Sequence, residues 1–297
     1  MTITSLTHDL LNLNERPSPQ LGELEGSCMD TVLDIHTRNV EKTRIIGALA
    51  LASNLTAPLT YLDVGASWGV DNALVRRLCQ SKKMRVVGFE PDPQEYAKLR
   101  AACPEDLYFE CGLGDEDIER KFYNCASSAN SSFLEPDLEA FSVPFRREQF
   151  HVVSTPQMAM RRVDSLIREG KMPAPDFVKI DAQGFEFNVL KGFGQELGRA
   201  LGFRIETQLR PMYKGQAMFP EIYNLMRSRG FILRDIRPMW PDLYEVVEVE
   251  VYFSQDPRSV GDRFQTLKLW ELMHDIPQGR TVIELADGKR AWYTIPM

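Results

Sequence analysis

Tyr61-Leu62-Asp63-Val64-Gly65-Ala66-Ser67-Trp68-Gly69 is the stretch on which the fold turns. An apolar run ends in an acid, two glycines bracket a short turn, and a helical pattern begins. A strand handing over to a helix in this way is the unit of a doubly wound parallel sheet, and it presents a ligand at the strand's carboxyl end. The glycines do not follow G-x-G-x-x-G, because position 67 is serine and position 70 is valine. The close backbone approach to a pyrophosphate that the second glycine permits is lost, which argues against a nicotinamide dinucleotide.

Working outward, the alternation continues. Residues 59–64 read as strand, 69–79 as helix, 84–90 as strand, 93–102 as helix and 107–111 as strand, which argues a parallel sheet with helices on both faces. Residues 118–125 read as a further strand. The segment 126–155 then breaks the pattern with a Ser/Asn cluster and four phenylalanines, Phe133, Phe141, Phe145 and Phe150. A long irregular segment of this kind is expected to be a lid or binding loop, its aromatics and the Tyr213-Lys214 pair capping a substrate.

Strand signals resume at 158–162, 176–181 and 200–208, with helices at 186–193 and 219–229. Residues 231–236 and 244–253 look like an antiparallel terminal pair, the second alternating Val247, Val249, Val251 and Phe253 with Glu248, Glu250 and Tyr252. A helix at 263–274 and a hairpin of 281–285 and 290–295 around Asp287-Gly288 follow. At the other end, Pro17, Pro19, Gly22 and Gly26 mark an arm, and apolar spacing from Met29 to Leu49 fits one or two helices over 28–54. The expected organisation is an N-terminal arm and helical cover (1–57), an α/β domain (58–256) and a C-terminal helix-hairpin appendage (257–297). The expected fold is α/β with a mostly parallel seven-stranded sheet ending in an antiparallel strand.

Composition narrows the function. The 297 residues carry 35 basic and 42 acidic side chains, a net charge of -7, which suits neither nucleic acid nor an anionic membrane as main partner. With 43% hydrophobic residues the chain can bury a sizeable core. Five cysteines, odd in number and without a C-x-x-C pair, read as free thiols of a reducing cytosol. No apolar stretch is long enough to span a bilayer, so neither secretion nor membrane insertion is expected. The apolar faces outside the central domain leave a homodimer open.

Two further acids stand at strand ends. Glu90 closes Val86-Val87-Gly88-Phe89, where a carboxylate accepts hydrogen bonds from ribose hydroxyls, and Asp115 follows the third strand, where one accepts from an adenine amino group. With Asp63 placed for an ammonium, the three acids suit S-adenosylmethionine, a ligand without a pyrophosphate.

The residues 63–69, Phe89-Glu90-Pro91, Gly112 to Asp115, Ser131-Ser132 and above all Asp176-Phe177-Val178-Lys179-Ile180-Asp181-Ala182-Gln183-Gly184-Phe185-Glu186 resemble the FkbM-type methyltransferases. The likeness runs from about Tyr61 to Gly230 and continues through Val189-Leu190-Lys191-Gly192 and Pro211 to Gln216. It implies a Rossmann-like class I methyltransferase that uses S-adenosylmethionine and O-methylates sugars and other hydroxylated natural products. Asp63, Gly65, Gly69, Glu90 and Asp115, with their motif neighbours Ala66, Pro91, Gly114 and Ser132, would line the cofactor. Two departures matter: Ser67 stands where the family often has Asn, and Gln183 where it often has Glu. The second keeps open a catalytically degenerate binding module on the same scaffold.

An oxygen nucleophile gains from a base that takes its proton, and the candidates are Asp181, Glu206 and Glu186. Asp181 ends an apolar strand at the expected site of methyl transfer, and Glu206 ends the next strand. Together they could hold a divalent cation, although no third ligand stands out. The lone loop histidine, His151, is a weaker candidate. A small-molecule or glycan acceptor is expected.

Overall fold

In the computed structural model the described residues are 42–141, 144–239, 241–242, 245–276, 280–284 and 290–294. Residues from Arg44 onward form one compact unit. The expected arm and most of the expected N-terminal helices lie outside the described residues; the helix present covers 42–53.

Seven strands form the main sheet: β1 (Leu59–Val64), β2 (Met84–Phe89), β3 (Leu107–Phe109), β4 (Phe177–Ile180), β5 (Gly202–Gln208), β6 (Phe231–Pro238) and β7 (Glu248–Gln255). Their order is β6-β7-β5-β4-β1-β2-β3. From β5 to β3 every pairing is parallel, while β7 runs antiparallel to both β5 and β6. This is the Rossmann-like sheet expected, its antiparallel strand last in sequence but inserted one place in from the edge. The order reverses between β1 and β4, so the chain leaves them in opposite directions and opens a crevice at their carboxyl ends.

Local chemistry starts the helices. Asn72 caps α1 (Ala73–Gln80) by accepting from Leu74 N and Val75 N, and Asp92 caps α2 (Pro93–Ala102) with proline in the first turn. The first helix therefore begins later than expected, after Gly69 has turned the chain at φ +68°. One face of the sheet is covered by α3 (Glu186–Gly192) and α4 (Phe219–Ser228), whose Val189, Leu190, Ile222 and Met226 join a core with Leu62, Ile180 and Phe203. On the other face, Ala48 and Ala52, α1 and α5 (Phe264–Met273) pack over Leu59, Val86 and Phe177. Gly202 is small because Trp270 of α5 lies on it: a Cβ there would come within 2.4 Å of the indole. The C-terminal hairpin pairs Arg280–Glu284 with Arg290–Thr294.

The region expected as a strand at 118–125 does not join the main sheet. Ile118–Lys121 and Gly112–Leu113 pair with Gln157–Arg161 in a separate three-stranded sheet, and Asn124–Cys125 pairs with Val152–Ser154. Short strands of this kind are legible as strands, but their partners lie too far along the sequence for periodicity to choose them. Cys111 and Cys125 are buried and Cys79 and Cys103 half-buried, all four as free thiols. No helix among the described residues is long and apolar enough to cross a membrane.

Candidate functional site

The turn after β1 shapes the crevice. Gly65 adopts φ +72°, and a Cβ on it would stand 1.9 Å from the carbonyl oxygen of Asp181, so only glycine lets the two strand ends approach this closely. Gly65 N and Ala66 N both donate to Phe89 O at 3.1 Å, tying the loop to the end of β2.

A first cleft of about 690 Å³, open to solvent, runs from Gly65 along β2. Phe89, Leu113, Phe122 and Phe133 give it apolar walls, and Ser128 and Ser131 reach it from the long irregular loop. Glu90 sits in it 5% exposed, its Oε1 accepting from Asp92 N at 2.9 Å. Burial pushes this carboxyl up to about 7. An apolar slot with a buried carboxylate, Glu90, at its side fits a purine nucleoside.

A second cleft, of about 790 Å³, shares Gly65, Trp68 and Asp181 with the first and otherwise rises over β4 and β5. Lys179 organises it: Nζ donates to Gly65 O at 2.9 Å and lies 3.4 Å from Asp63 Oδ1 and 3.5 Å from Asp181 Oδ2. Burial alone would lower this ammonium's pKa, but Asp63 and Asp181 outweigh it and raise it. Asp63, 2% exposed, is itself raised by burial against the pull of Lys179. Beside them Arg204 Nη1 grips both oxygens of Asp71 at 2.8 Å, and its other donors hold Glu250.

Gln183 joins the two candidate bases. Its Nε2 donates to Asp181 Oδ1 at 2.8 Å and to Glu206 Oε1 at 3.2 Å, and its Oε1 accepts from Tyr213 OH at 2.9 Å. The backbone pays for this placement with φ +51°. Burial, then the neighbouring Asp181, Glu248 and Glu186, raise Glu206 well above an ordinary carboxyl. Glu186 is placed differently. It is fully buried beneath the loop, its Oε1 accepting from Ala182 N and Gly184 N at 3.0 Å, and it lines neither cleft; burial pushes it up to about 8.

Of the expected cofactor residues, Gly65, Glu90 and Pro91 line the first cleft, and Asp63, Gly65 and Gly69 the second. Ala66 is buried beneath the turn. Gly114, Asp115 and Ser132 lie outside both linings. The strand Gly112–Leu113 carries the chain toward Gln157–Arg161, so Gly114 packs on Met160. Asp115 instead accepts from Asn188 Nδ2 at 3.0 Å and pairs with Lys191 at 2.5 Å; burial alone would raise its carboxyl, and these partners bring it below the usual value. Ser132 turns inward, accepting from Leu134 N, while Ser131 faces the cleft.

The expected aromatic cap is corrected by the packing. The rings of Phe141 and Phe150 meet at a tilt, 4.3 Å between centroids, in a core with Met212, Tyr213 and Val247, because the loop is stitched to 209–216 by Asp137 N to Met212 O and Lys214 N to Glu135 O. Phe133 is a wall of the first cleft, Lys214 pairs with Glu135 at the surface, and the side chain of Phe145 lies outside the described residues. His151 is exposed and lines neither cleft. The expected cation between Asp181 and Glu206 does not fit: an amide N–H donor stands between them, and an N–H donor cannot ligate a metal. Among the described residues no group of three or more His, Cys, Asp or Glu is set to hold one.

Residues 63–233, more than half of the chain, match the family model for the methyltransferase FkbM domain. The chain belongs to the FkbM methyltransferase family. Over 138 residues this FkbM chain is 28% identical to the hexuronic acid methyltransferase AglP of Haloferax volcanii, a match covering 46% of this chain and 50% of AglP. It thus spans about half the length of that relative. Among solved structures, an FkbM methyltransferase from Methylobacillus flagellatus KT is 20% identical, with a TM-score of 0.43 over 66% of this chain and 43% of that one. The magnesium protoporphyrin IX methyltransferase ChlM of Synechocystis PCC 6803, solved with S-adenosylmethionine bound, is 9% identical with a TM-score of 0.35, covering 86% of this chain and 98% of that one.

Within this FkbM domain the sequence reading missed Lys179, Arg204 and Trp68. Lys179 had a signal: a lysine between Val178 and Ile180, in a strand buried on both faces, breaks the continuous apolar run such strands carry. Trp68 had none, since one aromatic in a turn reads equally well as core.

Proposed function

We propose that the chain transfers a methyl group from S-adenosylmethionine to a hydroxyl of a saccharide or glycosylated natural product. The observation that carries this reading is Asp181, whose residue lines both clefts and stands where they meet. S-adenosylmethionine, bound in the first cleft, supplies an electrophilic methyl on a sulfonium. Phe89, Leu113, Phe122 and Phe133 would enclose its base, Glu90 would accept from its ribose hydroxyls, and the Gly65 turn, shared by both clefts, would lead its amino-acid end toward Asp63.

Asp181 then accepts the acceptor hydroxyl's proton as the new C–O bond forms and the C–S bond breaks, leaving the thioether. Lys179 Nζ, 3.5 Å from Asp181 Oδ2, and the Gln183 amide fix its orientation; positioning of this kind supplies much of the acceleration of a displacement. AglP, which acts on a hexuronic acid, supports the saccharide half of the reading. Calorimetry tests the other half: S-adenosylhomocysteine should bind, and Asp63→Ala should weaken it. A silent titration of folded protein at high micromolar ligand sinks the proposal. Methyl transfer to a glycan panel then tests the acceptor class.

A further inference from the structure

The second cleft is larger than the amino-acid end of a methyl donor requires, and its chemistry differs from that of the first. Five of its lining residues are acids: Asp63, Asp71, Asp181, Glu206 and Glu250. Its two cations are already engaged, Lys179 by Asp63 and Asp181, Arg204 by Asp71 and Glu250. Beyond the donor's amino-acid end at Asp63 and Gly65, a further ligand carboxylate entering here meets like charge and no uncommitted cation in the lining.

Two more observations point to a ligand. Tyr61 lines the cleft 1% exposed, and its hydroxyl has no hydrogen-bond partner among the described residues. A buried hydroxyl left unsatisfied is costly and is matched by a ligand that brings its own polar groups. Trp68, at the tip of the loop between the two left-handed glycines, is 82% exposed and lines both clefts. A large indole held at the mouth of a polar cleft offers a flat apolar surface, and a pyranose presents a matching C–H face with hydroxyls around its edge.

We propose, resting on the methyl-transfer reading, that the second cleft is the acceptor subsite and takes a neutral or amino-substituted pyranose, stacked on Trp68, in preference to a uronate. The ring's hydroxyls meet Asp71, Glu206, Glu250 and Tyr61, and the edge carrying the reacting hydroxyl faces Asp181 and the first cleft. An ammonium substituent is favoured by the excess of acids, in contrast to the hexuronic acid of AglP.

Saturation-transfer NMR on the full chain loaded with S-adenosylhomocysteine tests this, using the methyl glycosides of glucose, glucosamine and glucuronate. The glucoside and glucosaminide should receive saturation, and the glucuronide on the order of tenfold less. Trp68→Ala should reduce both signals on the order of tenfold. Because Trp68 also lines the first cleft, Met239→Trp supplies the control: Met239 lines only the second cleft, so the variant should abolish glycoside signals while S-adenosylhomocysteine still binds. Failure of S-adenosylhomocysteine to bind the unaltered chain defeats the methyl-transfer reading itself. With it bound, a glucuronide signal equal to the others overturns the acceptor proposal. So do glycoside signals indifferent to Met239→Trp, or no signal from any glycoside.

Discussion

On β1, β4 and β5 the side chains of Leu62, Val64, Val178, Ile180, Phe203 and Ile205 point to one face of the sheet, and alternation sends Tyr61, Asp63, Lys179, Asp181, Arg204 and Glu206 to the other. The first set is at most 3% exposed and belongs to one dry core. The second set begins in apolar packing at Tyr61 and Phe177 and becomes a charged network toward the strands' carboxyl ends. A parallel sheet covered by helices on both faces normally reads as continuous apolar strands. The charged half of one face is therefore the departure that marks the site, and it is tolerable because Lys179 compensates the buried Asp63 and Arg204 the largely buried Glu250.

The two faces should fail differently. Asp181→Asn, on the charged face, is expected to lower kcat by on the order of 10² to 10⁴ while leaving circular dichroism and S-adenosylhomocysteine affinity close to those of the unaltered chain. Near-normal turnover would return Asp181 to a structural role and remove the contrast. Phe203→Ala, on the dry face, takes out a ring packed edge-on against Phe193 at 5.7 Å and Phe231 at 5.1 Å. Urea denaturation should show a loss of about 3 to 5 kcal/mol, with the ligand affinity of the folded protein little changed.

Gln183→Glu sharpens the comparison. It replaces an amide that donates to Asp181 and Glu206 with a third carboxyl, so about 1 to 3 kcal/mol of stability should be lost near pH 8 and recovered toward pH 5, where the added carboxyl is protonated and donates again. Denaturation at the two pH values reads this directly, and equal stability at both contradicts the bridging role.

The smallest effect concerns Glu90. Its folded-state pKa, raised by burial from 4.5 to about 7, means that the free protein holds this proton more tightly than the unfolded chain. Its contribution to stability is then greatest below 4.5 and is lost as pH rises through 7. Ribose hydroxyls donate to the ionised form, so the sign reverses for binding: affinity for S-adenosylhomocysteine should fall roughly tenfold from pH 8 to pH 6. Glu90→Gln should bind weakly at both, and an unaltered pH dependence in that variant would assign the effect to another group.

Much of the site was legible because strand ends announce themselves. Asp63 and Glu90 close apolar runs and precede turns, and Asn72 and Asp92 cap the helices that follow, so their places near the crevice follow from local pattern. Asp115 closes a similar run, yet its strand is captured by a distant one and its carboxylate by Lys191. Glu186 and Asp181 lie five residues apart in one motif, but the left-handed turn at Gln183 and Gly184 sends one beneath the loop and the other into the clefts.

The sequence by itself determined the strand-helix alternation, the glycine at position 65, the acids at the ends of β1, β2, β4 and β5, and the family, because period, turn chemistry and motif spacing are local properties. Only the tertiary structure decided that Lys179 holds Asp63 and Asp181 together, that Gln183 bridges Asp181 to Glu206, that Phe141, Phe150 and Tyr213 are core, and that Trp68 stands exposed between two clefts. These depend on which distant segments meet, and a carboxylate's role follows from the donor, cation or apolar wall that the fold sets against it.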